Sequence, residues 1–133
     1  MQLSHIEYLI MELLWKEKRP LSRSEILKGT VGRNWNPSSI HLILNSMLSK
    51  GAIRITDETK RYGRTYEALI TQDDYLLGCV DNGMPGRSNE EKLLGIVSAL
   101  VNRSKITEKD IRSLEDILEQ KRQELRDQQN DKQ

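Results

Sequence analysis

Thiols, imidazoles and long apolar runs are all scarce in this chain of 133 residues, and each scarcity removes a class of function. The single cysteine, Cys79, has no partner for an internal disulfide and no second thiolate with which to build a metal site, which fits a reducing cytoplasm. The two histidines, His5 and His41, fall on different predicted helices, and neither has a companion at metal-ligand spacing. No stretch reaches the roughly 18 to 20 apolar residues of a membrane span. The N-terminal MQLSHIEYLIMELLWKEKR carries acidic residues through its apolar part and shows no cleavage signature, so neither export nor membrane insertion is expected.

Catalytic signals are equally thin. No phosphate-binding glycine loop occurs. Cys79 has no evident activating base and is expected to be a small, partly buried residue. The acid pairs Asp73-Asp74 and Glu90-Glu91 stand at predicted helix starts, where the helix dipole already accounts for them. The expectation is a non-enzyme with no metal and no cofactor.

What is present is a mixed surface and a small core. With 31% charged and 36% hydrophobic residues, the length suits one small domain and an appendage. The net charge of +1 hides an asymmetry: residues 1 to 70 hold 11 Lys or Arg against 7 Asp or Glu, and residues 71 to 133 hold 10 against 13. The basic half is the candidate for meeting a polyanion, although a solvated mixed surface would look similar.

Helix starts are marked by Ser or Thr followed three residues later by Glu or Asp, which lets side chains satisfy the orphan amides of a first turn. Ser4 with Glu7, Ser22 with Glu25, Ser88 with Glu91 and Thr107 with Asp110 fit, and Thr71 with Asp74 fits less well. A first helix is predicted over about 5 to 18, apolar on two sides through Ile6, Leu9, Ile10 and Leu13, and through Tyr8, Met11 and Trp15. A second runs from about 23 to 31. The third has Asn36 as N-cap and Pro37 in its first turn, and ends at Lys50-Gly51. Beyond it the period changes to two, giving strands over 52 to 56 and 65 to 70 around a polar tip with Lys60, Arg61, Gly63 and Arg64.

Three helices followed by a hairpin is a winged helix-turn-helix pattern. The expected class is mainly α with a small β-hairpin wing, organised as a winged helix DNA-binding domain over 1 to 80, a linker over 81 to 88, a helical dimerisation region over 89 to 127 and a frayed tail over 128 to 133. Leu93, Leu94, Val97, Leu100 and Val101 form one apolar stripe in the C-terminal part, and Ile111, Leu114, Ile117 and Leu118 form another. Two amphipathic helices cannot cover both stripes, and a second copy of the chain is the simplest partner.

The third helix raises the functional question. At about 100° per residue, Ile40, Ile43, Leu44, Met47 and Leu48 face the core, while Ser38, Leu42, Asn45, Ser46 and Ser49 face away, with His41 at the border. No Lys or Arg lies between Pro37 and Ser49. Neutral groups can still read DNA: Asn pairs with adenine, Ser with base edges or phosphates, and Leu with a thymine methyl. Ser38, Ser39, His41, Leu42 and Asn45 are the candidate base readers; Arg23, Lys28, Arg33, Lys50, Lys60, Arg61 and Arg64 are the candidate phosphate contacts. The bland alternatives are a solvated helix face and a charged hairpin loop that merely keeps the surface soluble.

These residues resemble a known family, the penicillinase and copper-response repressors of the BlaI, MecI and CopY type. The resemblance rests on LSHIEYLIMELLW at 3 to 15, with Ser4, Glu7, Met11 and Trp15 in register, on WNPSSI at 35 to 40, on KGAI at 50 to 53 and on the strand from Tyr66 to Ile70. It implies a bacterial repressor that binds double-stranded DNA as a homodimer at a pseudo-palindromic operator. It also implies release either by a membrane sensor protease cutting the dimerisation region or by metal binding to C-terminal cysteines. The chain departs from the family pattern in the third helix, where Ser38, Ser39, His41 and Leu42 stand at positions that are usually basic or hydroxylic. No C-terminal cysteine cluster exists, and the cleavage bond would fall near Ala99-Leu100. A protein-interaction module that has kept the fold but lost operator reading is the rival expectation.

Overall fold

The computed structural model describes residues 1–131. Helix α1 spans His5–Glu17 and begins with a complete capping box: the Ser4 hydroxyl accepts from the Glu7 amide at 3.2 Å, and the Glu7 carboxylate accepts from the Ser4 amide at 2.8 Å. A second box, Ser22 with Glu25, opens α2, Arg23–Gly29. Between them lies β1, Leu21–Ser22, a two-residue strand with too little sequence to show any period. The third helix starts as a tight 3-10 turn over Pro37–Ser39 and continues as α3, Ile40–Lys50. Gly51 ends it at φ 77°, a left-handed conformation that favours glycine.

Strands β2, Ile53–Ile55, and β3, Thr65–Ala68, form the hairpin, and β1 joins the other edge of β3, giving the order β1-β3-β2, all antiparallel. Tyr66 sits opposite both Leu21 and Ile55. The core gathers Ile10, Met11 and Leu14 of α1, Ile26 of α2, Ile40, Leu44 and Met47 of α3, and Leu21, Ile53 and Tyr66 of the sheet. Helix α4, Gln72–Gly83, completes this part. Its Tyr75 packs against Tyr8 with ring centroids 5.6 Å apart, and Tyr8 meets Trp15 edge to face at 5.7 Å. The Trp15 indole N–H donates to the Ile70 carbonyl at 2.9 Å and so fixes the exit of the hairpin against α1.

Helices α1 and α2 approach closely where the second has no side chain. A Cβ at Gly29 would lie 2.5 Å from Leu13 Cδ2 and 3.2 Å from its Cγ. Leu13 is half-buried and borders an open cleft beside Gly29, so its side chain must rotate to admit the methyl; Gly29→Ala is expected to change stability by less than about 1 kcal/mol, measured by urea denaturation, and a larger loss would show that Leu13 is locked in place.

The chain divides into two compact units, Met1–Gly86 and a second that begins at Arg87. The expected linker over 81 to 88 is shorter than its glycines and proline suggested. Helix α4 runs through Asp81 and Asn82 to Gly83, and the Met84 amide still donates to Val80 O at 2.9 Å. Glycine is tolerated at a last helical residue, where it interrupts no following turn. The second unit holds α5, Asn89–Arg103, and α6, Glu108–Asp131. Helix α6 continues past residue 127, where a frayed tail was expected, supported by side-chain pairs such as Arg122 with Glu119 at 2.9 Å and Gln123 with Asp127 at 3.2 Å. The last two residues of that expected tail, 132 and 133, lie outside the described residues.

Candidate nucleic-acid interface

The start of the third helix is held by its own cap. Asn36 Oδ1 accepts from the Ser38 amide at 3.0 Å and from the Ser38 hydroxyl at 2.9 Å, so Ser38 offers lone pairs rather than a free O–H. Along α3, Ile40, Leu44 and Met47 are buried, and Leu42 and Asn45 are exposed, Leu42 to 75%. Ser38 is exposed and Ser39 is half-buried. The neutral, outward face expected from the helical period therefore exists, narrowed to Ser38, Leu42, Asn45 and Ser49.

Two residues of α3 turn elsewhere. The Ser46 hydroxyl donates to Glu7 Oε2 at 2.9 Å and faces α1 instead of solvent. His41 lies beside α2, its Nε2 3.1 Å from Arg23 Nη1. An arginine can only donate, so His41 Nε2 accepts and its ring proton sits on Nδ1.

The candidate phosphate contacts divide by what already holds them. Lys50 donates to Glu7 Oε1 at 2.6 Å, in an ion pair whose carboxylate side chain is 5% exposed. It is a structural partner of a buried acid, because burial without a cation would leave that charge uncompensated. Burial pushes the Glu7 carboxyl up, but Lys50, the Ser4 amide and Ser46 outweigh it and hold the group below its usual 4.5. Arg33 is likewise committed: it donates to Leu27 O at 3.0 Å and lies 5.3 Å over the Trp35 ring. Lys28, Lys60 and Arg61 are exposed. Arg64 donates from Nε to Lys60 O at 2.7 Å, closing the wing tip while leaving its terminal nitrogens to other acceptors. Gly63, at φ 68°, makes that turn possible. Asp57 caps the other side of the tip by accepting from the Thr59 hydroxyl and amide, which lower its carboxyl below the usual value.

These elements enclose a cleft of about 360 Å³ between α2, α3 and the wing. It is lined by Ser22, Arg23, Ser24, His41, Arg61, Tyr62, Gly63, Arg64 and Tyr66, and no carboxylate is among them. Arg23 Nε is buried there without a hydrogen-bond partner among the described residues. A wider groove of about 480 Å³ lies away from this surface, between the end of α1 and the start of α4, with Trp15, Ile70 and Thr71 in its walls. Cys79 is exposed, contrary to the expected partial burial, because its turn of α4 lies outside the buried cluster. Among the described residues no group of three His, Cys, Asp or Glu is placed to hold a metal, and no helix is long and apolar enough to cross a membrane.

A three-helix unit with a hairpin wing defines the winged helix-turn-helix class of folds, here with an exposed hydrogen-bonding helix face and an arginine-lined cleft beside it. The profile of the penicillinase repressor family matches residues 3–120, and the chain belongs to that family. Among curated proteins no sequence matches significantly. Solved structures similar to it include the ferric uptake regulator of Francisella tularensis with iron, at 18% identity and a TM-score of 0.44, over 51% of this chain and 53% of that one. This chain thus spans about half the length of that regulator. Staphylococcus aureus MarR in complex with salicylate and kanamycin is similar at 13% identity and a TM-score of 0.46, over 92% of this chain and 73% of that one. The adhesin competence repressor AdcR of Streptococcus pyogenes is similar at 14% identity and a TM-score of 0.42, over 93% and 81%.

Sequence reasoning missed Glu7 as the hub of α1 and α3. The only local signal was the Ser4 capping box; the partners Ser46 and Lys50 lie 39 and 43 residues away. It also missed the pairing of His41 with Arg23, which depends on how α2 crosses α3.

Proposed function

We propose that the protein is a homodimeric repressor of a pseudo-palindromic operator, with α3 in the major groove and the wing against the backbone. The observation that carries the reading is the exposed neutral face of α3 lying beside a cleft lined by Arg23, Arg61 and Arg64. Ser38, Leu42 and Asn45 read base edges, and Lys28, Lys60 and the three arginines neutralise phosphates. Because affinity for DNA is dominated by phosphate neutralisation, a charge-free reading helix suffices when its flanks are basic. The test is fluorescence anisotropy against the DNA upstream of the gene and a scrambled control, over a salt series. A preference of about a thousandfold for the native fragment with a steep salt slope fits a specific reader. Equal weak binding to both would overturn it and favour the second reading, a protein-interaction surface, for which Leu42 at 75% exposure is the supporting observation.

Dimerisation falls to α5 and α6. Leu93, Leu94 and Leu100 on the first and Ile117 and Leu118 on the second are each between 58% and 63% exposed. Val97, Val101, Ile111 and Leu114 extend the same stripes. An apolar surface of this extent is the mark of an interface rather than of a free surface. Leu118→Glu is expected to convert the dimer into monomers in sedimentation velocity while the near-ultraviolet spectrum of the aromatic cluster in the first unit stays unchanged. A variant that remains dimeric would move the interface off α6.

A further inference from the structure

The cleft between α2, α3 and the wing holds a buried donor, Arg23 Nε, that has no acceptor among the described residues. Arg23, Arg61 and Arg64 line it with His41, and the Tyr62 and Tyr66 phenols are the other titratable groups facing it. On α3 itself no charged residue accompanies His41 before Lys50. Among the described residues the acceptor of Arg23 is His41 Nε2, at 3.1 Å, and the guanidinium Nε is buried without a partner. This contact needs a lone pair on Nε2. A proton there would remove the acceptor and set an imidazolium against a guanidinium, with two further arginines nearby and no carboxylate to offset them.

A phosphoryl oxygen reverses that balance, since it accepts from Arg23 and from a protonated imidazole at once. Histidine is the side chain whose ordinary titration lies in the physiological range. We infer that this cleft is a phosphoryl-oxyanion site that fills together with a proton on His41, which makes anion binding proton-coupled. The inference deepens the proposed function, resting on it for the DNA backbone as the natural source of the phosphate. The proton enters from solvent onto Nε2, the Arg23 hydrogen bond transfers from that nitrogen to the phosphoryl oxygen, and no covalent bond is made or broken. Arg23 thus serves twice: in the empty site it donates to His41 Nε2, and in the filled site it donates to the phosphoryl oxygen.

Two measurements on the full-length protein test this. In the first, affinity for the native DNA fragment is measured by anisotropy at pH 6, 7 and 8 at constant ionic strength, for the wild type and for His41→Gln, which keeps a hydrogen-bonding group but cannot be charged. Proton uptake on binding predicts that wild-type affinity falls by roughly tenfold between pH 6 and 8, whereas the variant changes by less than about twofold. A flat wild-type profile, or one that the variant reproduces, overturns the inference. The second follows the His41 ring by proton NMR with inorganic sulfate, which keeps its charge over this range. Sulfate moving the titration of His41 to higher pH supports a cleft open to free oxyanions; a pH effect on DNA without a sulfate effect supports the inference with the duplex backbone as the only source. Should the protein bind no DNA, the proposed function fails on its own, and the sulfate measurement alone decides: a shift sustains the oxyanion site, and none removes it.

Discussion

Glu7→Ala is expected to lower the stability of the first unit by about 2 to 4 kcal/mol, near the upper end of single-site effects. The carboxylate is 4% exposed as a residue and receives Lys50 at 2.6 Å, Ser46 at 2.9 Å and the Ser4 amide at 2.8 Å. Deleting it strands all three donors and removes the link between the start of α1 and the end of α3. Lys50 retains partial solvent access, which keeps the loss below that of a fully enclosed pair. Thermal unfolding followed by circular dichroism should show a midpoint lower by about 10 °C or more; a change within 2 or 3 °C would mean that water replaces the carboxylate without cost.

The same residue sets part of the acid limit. Its carboxyl is held below the ordinary 4.5 in the folded protein, so the unfolded chain takes up the proton first as pH falls. The stabilisation is complete above about pH 4.5 and is lost as pH drops through the lower folded value. Glu7→Gln should flatten that portion of the stability profile. An acid limb identical to the wild type would assign the loss to other carboxylates, of which Glu25, held low by the Ser22 amide and Arg19, is the nearest in kind.

Asn45→Ala is expected to cost about 1 to 3 kcal/mol in binding the native operator and almost nothing on scrambled DNA. Asn45 is exposed at the centre of the outward face of α3, one turn beyond His41, with an amide able to make two hydrogen bonds to a single base edge. Arg61→Ala is the contrasting change: it should weaken both duplexes alike and reduce the salt slope by about one unit, because it removes a phosphate contact without sequence content. Competition anisotropy with the two duplexes separates the outcomes. Equal losses on both for Asn45→Ala would mean that the amide touches the backbone and that reading lies with Ser38 and Leu42.

Local signals in the sequence carried most of the fold. Both N-terminal capping boxes form as their spacing implies, and the change of period after Gly51 marks the hairpin. The resemblance read from Ser4, Glu7, Met11 and Trp15 agrees with the family match over 3–120. What escaped the sequence depends on crossings between elements. Two residues of β1 cannot display alternation, yet Leu21 pairs with Tyr66 and closes the third strand of the sheet. Lys50 reads as a free cation at a helix end, and only the position of α1 reveals its buried partner. The helical wheel placed Ser46 on the groove side because the wheel knows angle alone, whereas the carboxylate of Glu7 draws that hydroxyl toward α1.

The tether from the Trp15 indole to Ile70 gives the protein an optical gauge of its own. Trp15 and Trp35 are its two tryptophans, and they occupy different surroundings: one is clasped between the hairpin exit and an aromatic cluster, the other lies beneath Arg33 in the loop ahead of the reading helix. Emission from the first is expected to follow whether the sheet stays seated on α1, and emission from the second whether the loop ahead of α3 keeps its stack with Arg33. Replacing either tryptophan by phenylalanine would then isolate the other as an unlabelled reporter of its own end of the first unit.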